Sequence, residues 1–507
     1  MKAQLTDDLQ KIMLFYDDNF EYQTIKQHFY RVAESSKFVK YQTKQMSQSF
    51  LYNEDTLNST MLYELRNICN KSRIELHIDD SKLYRNISRS CVLAFTNKLL
   101  QHTGMKLREY QVDAVWNLVN NRNCCVEVAT GGGKTLIIYC YIAMMSSMDF
   151  SDRCLIITPD PSLAIQNMEK FMEYSGGMFD IKIGLTKNDP EKFSKHMMGS
   201  FSKLALYGDG DLACFDTVIV DEAHRSKAHS YEKIVNNVGQ TLNRIGLSGS
   251  YYDDESLDAF KTKNLLGSIV YRITKSQLVD IGSITPTTVY MTEIDFAPHE
   301  DKKKLAIEKE YSSNIARLEL EREYVRSSQK LIDYKTQYIL GLDGNTIAYF
   351  FDKQNSYGKR IYSQLVMLNK VRNLGKYIFY IDGDVNKNER EKIKHFMSIT
   401  PDNCILVASY TTFSTGQSID NLIHEVFCEG FKSDVLNNQS TGRLTRLHVG
   451  KEMSYVHDFI ENTNIALVDA VTLKKKHHRC YMSKWGSERK KYYESEKFRV
   501  LFNKMII

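Results

Sequence analysis

The chain has 507 residues, of which 42% are hydrophobic and 25% charged, with a net charge of +5. That length accommodates about three domains at roughly 100 to 200 residues each, and the composition is that of a globular protein, not a disordered or fibrous one. No run of about 18 apolar residues occurs, which speaks against a transmembrane helix, and so mild a positive charge is by itself no argument for nucleic acid.

The ten cysteines include no C-x-x-C pair. Cys124 and Cys125 are adjacent, and Cys140, Cys154, Cys214, Cys404 and Cys428 lie in apolar runs. They read as reduced core residues and predict an intracellular compartment. The first residues, MKAQLTDDLQKIMLFYDD, carry early acids and no long apolar core, unlike a secretory signal.

Residues 1–100 mix a helical pattern, MLYELRNICNKS, with a strand pattern, RIELHID, and are expected to form a small α+β accessory domain. The texture changes from Cys124. Short apolar runs (CCVEVA, CLIIT, TVIV, RIGLS) alternate with helix-length stretches such as KTLIIYCYIAMM. Buried runs separated by helices predict a parallel sheet covered on both faces, here over residues 101–295. Residues 296–335 are highly charged and lack glycine, with apolar positions every three to four residues, and read as exposed helix bridging two units. The alternation resumes over 336–470 with TIAYFF, YIFYID, CILVAS and EVFCEG, a second α/β unit. Residues 471–507 are a short basic tail, read as helical.

Chemistry concentrates in the first α/β unit. In VEVATGGGKTLII a strand delivers the chain to Thr130 and a helix begins near Lys134. Gly131, Gly132 and Gly133 let backbone N–H groups turn inward on phosphate oxygens, where side chains would block them. The helix N-terminus adds its partial positive charge. Lys134 is then placed for the β and γ phosphates and Thr135 for Mg²⁺. Further on, TVIVDEAH ends an apolar strand in two acids. Strand alternation sends such neighbours in different directions, so Asp221 is placed to hold Mg²⁺ and Glu222 to polarise an attacking water. Gln111, in KLREYQVDAV, offers an amide to an adenine edge, and Ser248 and Ser250, in GLSGS, are candidates to relay the nucleotide state.

In the second unit, Thr415 and Gly416 follow strand CILVAS, on the edge where parallel sheets meet ligands. Gln439, Arg443 and Arg446 lie in NNQSTGRLTR. The two arginines, three apart, share a helix face and are candidate fingers for a transferring phosphoryl group. The tail interleaves Arg489, Lys490 and Lys491 with Trp485, Tyr492 and Tyr493. This suits either DNA or packing on the second unit.

In this order, ATGGGKT, DEAH, LSGS, FSTG and QSTGRLTR resemble motifs I, II, III, V and VI of superfamily two helicases. KLREYQ is similar to their adenine-contacting Q motif, LIITPDPSLAIQ to motif Ia and GSF to motif Ib. LSGS lacks the threonine of the commoner S-A-T form. The motif V region, ASYTTFSTGQSIDNLIHEV, and the tail are similar to the UvsW-type helicases of T-even phages.

The resemblance implies two tandem RecA-like domains and an enzyme that consumes ATP with Mg²⁺. It implies DNA as partner, contacted by Ser200, Thr411 and Thr415, and a DNA-binding role for residues 1–100. It implies work on branched DNA in phage recombination, replication and repair, in the host cytoplasm: Holliday junction migration, fork regression, and unwinding of R-loops, with their RNA. The alternatives are a duplex-DNA translocase without strand separation, or an RNA helicase.

Overall fold

The computed structural model describes residues 1–32, 47–178, 181–183, 195–208, 210–225, 229–238, 243–249, 251, 256–296, 305–307, 314–351, 356–400, 403–413, 419–431, 441–442, 444–463, 466–468, 475–477, 480–496 and 498–507. The chain divides into two compact units, Met1–Thr274 and Lys275–Ile507.

The first unit opens with an antiparallel sheet of strands Lys2–Leu5, Lys11–Phe15 and Thr56–Asn58. Alternation along KIMLF turns Ile12 and Leu14 inward and leaves Met13 and Phe15 in solvent. Helix Asn19–His28 starts where the Asp18 carboxylate accepts the Glu21 N–H. Ile25, Phe29 and Leu65 from the flanking helices complete a core that Phe260, far along the chain, also enters. Thr60 donates to the Asn264 carbonyl and Lys263 pairs with buried Glu64, so the first hundred residues are fastened to the sheet that follows.

That sheet has seven strands, in the order Ile269–Ile273, Asn123–Val128, Asn243–Ser248, Thr217–Asp221, Cys154–Thr158, His196–Ser200 and Ile181–Ile183. Every pairing in it is parallel. Strands Cys154–Thr158 and Thr217–Asp221 are buried at every position, as expected for strands covered on both faces.

The second unit repeats the arrangement, also with seven parallel strands: Tyr377–Ile381, Cys404–Ser409, Thr346–Phe350, His424–Phe427, Ser454–Asn462, Thr287–Asp295 and Arg499–Ile506. Three sequence expectations shift here. Strand Thr287–Asp295, read into the first unit, pairs in the second sheet. The tail is a helix, Tyr481–Ser495, followed by a strand, Arg499–Ile506, that joins the same sheet.

The charged stretch before residue 336 is the third. Helices Asn314–Ser327 and Gln329–Leu340 place Val325, Leu331, Ile332 and Ile339 in the second unit's core. Their charges are buried with partners: Arg326 pairs with Glu429, and Lys335 with Glu461. Glu321 accepts the Tyr481 and Met482 N–H groups that open the tail helix. Among the described residues, no helix is long and apolar enough to cross a membrane.

Candidate active site

Strands Asn123–Val128, Asn243–Ser248 and Thr217–Asp221 are parallel neighbours, with Glu127 opposite Ser248 and Asp221 opposite Leu247. Their C-terminal ends therefore deliver the glycine loop, Gly249 and the acid pair to one edge of the sheet. The chain crosses two strands between Asn123–Val128 and Cys154–Thr158, the kind of switch point where open α/β sheets bind ligands.

The loop is held by its own backbone and by the helix before it. The Ala129 N–H donates to the Ile273 carbonyl, and the Gly132 N–H to that of Ala129. Gly131 and Gly133 adopt φ of 91° and 80°, a region that side chains disfavour. A Cβ on Gly133 would lie 2.5 Å from Gln111 Nε2. Gln111 is buried there: its Nε2 and the Tyr110 hydroxyl both donate to the Gly132 carbonyl, at 3.1 and 3.0 Å. Gln111 Oε1 accepts the Arg108 N–H. Expected at an adenine edge, Gln111 braces the glycine loop. Helix Lys134–Ser147 then runs into the core, with Leu136 to Ile142 all buried, and its N-terminus opens onto the loop.

Lys134 Nζ lies 3.2 Å from Glu222 Oε1. The other carboxylate oxygen faces His224 Nδ1 at 3.4 Å, and that nitrogen is 2.9 Å from Ser248 Oγ. Ser248 is thus joined to the acid through His224. Glu222 has φ 55°. This left-handed conformation costs on the order of 1–2 kcal/mol for a residue with a Cβ. Burial alone would raise the Glu222 carboxyl, but the Lys134 ammonium and then His224 hold it well below the usual carboxylate range. Asp221 goes the other way, pushed up to about 6 by burial and by the charge of Glu222.

Asn167 connects the remaining parts. Its Oδ1 accepts the Thr135 hydroxyl and its Nδ2 donates to Asp221 Oδ2, both at 3.1 Å. The Glu222 N–H satisfies Asp221 Oδ1. Sequence reasoning passed over Asn167. The available signal was its position one residue beyond LIITPDPSLAIQ.

The other expected residues are scattered or outside the description. Ser200 ends strand His196–Ser200, is only 1% exposed and shares a hydrogen bond with Ser202. Thr411 lies in the short helix Tyr410–Phe413. Ser250, Thr415, Gly416, Gln439 and Arg443 lie outside the described residues. Arg446 is partly exposed, 3.2 Å from Asp420. Its carbonyl accepts from the Thr285 hydroxyl and the Lys451 ammonium, which fixes its backbone. In the tail, Arg489 is buried in a two-pronged pair with Asp458, and Trp485 and Tyr493 are buried beside it, so these three pack. Lys491 remains exposed.

A family model described as "Type III restriction enzyme, res subunit" matches residues 104–252. The ATP-dependent DNA helicase UvsW of enterobacteria phage T4 is 28% identical over 421 residues, 81% of this chain and 80% of that protein. A type I restriction endonuclease subunit of Staphylococcus aureus is 22% identical over 445 residues, 75% of this chain and 44% of its own. Among solved structures, the ATP-dependent type ISP restriction-modification enzyme LlaBIII bound to DNA aligns with a TM-score of 0.55 and 16% identity, over 79% of this chain and 31% of that one.

Proposed function

We infer that this chain, a superfamily two helicase related to phage T4 UvsW, is an ATP-driven motor that remodels branched DNA. The observation that carries the ATPase reading is the meeting of Lys134, Thr135, Asp221 and Glu222 at the C-terminal ends of neighbouring parallel strands.

The donor set fits Mg²⁺. Two acids lie at the end of one strand, Lys134 pairs with Glu222, and Asp221 is held by Asn167 and the Glu222 N–H. A divalent cation beside Asp221 would add positive charge to that buried carboxylate. No cluster of three or more His, Cys, Asp or Glu able to hold a metal occurs among the described residues. One hydroxyl, Thr135, and one carboxylate, Asp221, suit an ion that keeps most of its water and phosphate ligands. When bound, the ion would neutralise charge on the phosphate oxygens.

The residues divide the remaining work. The glycine loop around Gly131 to Gly133, whose Gly132 N–H is taken up by the Ala129 carbonyl, holds the phosphates with the helix N-terminus and Lys134. Glu222, ionised at neutral pH, orients and deprotonates the attacking water. Arg443 and Arg446 are the proposed answer to charge on the transferring phosphoryl group. Gln439 and Gly416 are proposed to contact the nucleotide, and Ser200, Thr411 and Thr415 the DNA backbone, where hydroxyls position a strand without reading its sequence.

The branched-DNA reading rests on the relationship to UvsW, which spans most of both chains. A second reading, duplex translocation without strand separation, is favoured by the restriction-enzyme family model over residues 104–252. ATPase stimulation and strand separation on four-way junction, fork, R-loop, linear duplex and RNA duplex decide between them. The first reading expects junctions, forks and R-loops to be processed. ATPase activity on linear duplex with no product from branched substrates would overturn it in favour of the second, and a preference for RNA duplex would overturn both.

A further inference from the structure

Asn167 uses both ends of its amide at this site, yet belongs to none of the elements that bear the expected catalytic groups. It lies on helix Pro161–Ser175 and is 3% exposed. That helix starts rigidly: Pro161 occupies the first turn and Asp160 Oδ1 accepts the Leu163 N–H at 2.9 Å. Asn167 thereby ties Thr135, in the first turn of one helix, to Asp221, at the end of a strand.

We propose that Asn167 is a positioning residue for the metal–nucleotide complex, orienting the Thr135 hydroxyl and the Asp221 carboxylate toward one cation. This rests on the ATPase reading above. A hydroxyl has one proton and two lone pairs. Directing the proton to Asn167 Oδ1 leaves the lone pairs of Thr135 free for a cation, with no hydrogen between oxygen and metal. Asp221 is held at both oxygens, by Asn167 Nδ2 and by the Glu222 N–H, so its carboxylate plane is fixed. An amide alone offers both acceptor and donor at this length. A carboxylate at position 167 would set another negative charge against Asp221, and an aliphatic side chain would leave two polar groups unmatched in a buried site. Partners of this kind, one step removed from the metal, are typically worth 10- to 100-fold in metal affinity.

The test uses the full chain and a fluorescent, non-hydrolysable ATP analogue, titrated with Mg²⁺ and, separately, in EDTA. Asn167→Ala and Asn167→Asp are expected to raise the half-saturating Mg²⁺ concentration by about tenfold or more, with metal-free affinity within about twofold of wild type. Asn167→Asp keeps the side-chain volume, and thermal melts of both variants check the fold. An unchanged Mg²⁺ requirement in both variants overturns the proposal. So does an equal loss of analogue binding with and without metal, which marks a role in holding the loop together. If the wild type binds no analogue, or Lys134→Ala binds it as well as wild type, the ATPase reading falls and takes the proposal with it.

Discussion

Lys134 and Glu222 face each other at 3.2 Å, the ammonium proposed for phosphate against the carboxylate proposed for the attacking water. The ammonium holds Glu222 ionised, and a phosphate arriving at Lys134 would compete with Glu222 for it. Glu222→Gln removes that competition together with the proposed base. The expected result is nucleotide binding as tight as wild type or tighter, with kcat down by about 10²- to 10⁴-fold. Steady-state hydrolysis and analogue binding measure the two halves, and hydrolysis at the wild-type rate would refute the role of Glu222.

Arg446 touches Asp420 at the surface, while its backbone is held by Thr285 and Lys451. Removing the side chain should therefore leave the fold alone, since exposed pairs contribute about 0–1 kcal/mol. Arg446→Ala is expected to lower kcat by about a hundredfold or more, as loss of an arginine finger does. Asp420→Asn, which breaks the same pair from the other side, should leave kcat near wild type. Equal losses in both variants would assign Arg446 a structural role.

A directed chain of hydrogen bonds crosses the second sheet: Tyr338 to His457 Nδ1, His457 Nε2 to His424 Nδ1, and His424 Nε2 to the Asp343 carbonyl. With both imidazoles neutral every contact is satisfied, whereas two protonated rings would set one N–H against another between His457 and His424. Burial drives the His457 pKa down to about 3 and lowers that of His424 as well. Below an ordinary pKa near 6.5 the unfolded chain binds protons that the folded chain refuses. Stability is therefore full above about pH 6.5 and falls as pH drops toward 3, by about 2 kcal/mol at pH 5 for His457 alone. Thermal melts at pH 7.5 and pH 5 should show this loss, and His457→Phe should shrink the difference. An equal acid shift in that variant would exclude the pair as its source.

Arg489 and Asp458 form a buried, two-pronged pair that seats the tail helix. Arg489→Met leaves buried Asp458 without its cation, with the Tyr493 hydroxyl still donating to it, and is expected to cost about 3–5 kcal/mol. Adding Asp458→Leu should recover most of it. Denaturant unfolding reads both. A loss of DNA affinity at unchanged stability would instead place Arg489 on the nucleic acid.

The parts of the protein legible in sequence were those whose signal is local. CCVEVA, CLIIT, TVIV and RIGLS fall on strands Asn123–Val128, Cys154–Thr158, Thr217–Asp221 and Asn243–Ser248, because a doubly covered strand has to be apolar throughout. Gly131 and Gly133 announced the loop because only glycine enters its backbone region cheaply. Asn167 was hidden because both its partners are distant in sequence and a lone asparagine on a helix carries no pattern. The charged helices before residue 336 misled for a different reason. Charge density reads as solvation, yet Glu321, Arg326 and Lys335 are buried with counterparts that sequence spacing does not reveal. In the tail, where sequence left DNA and packing as alternatives, Arg489 packs in a buried pair with Asp458.

Strand Thr287–Asp295 sits between Ser454–Asn462 and Arg499–Ile506, both of which follow it by well over a hundred residues. On the ribosome it emerges with neither neighbour yet made. At about 5–20 residues per second, its Val289, Met291 and Ile294, all fully buried in the finished fold, wait many seconds for cover. The second sheet is thus completed late, and its earliest strand is the one most exposed to misadventure during synthesis.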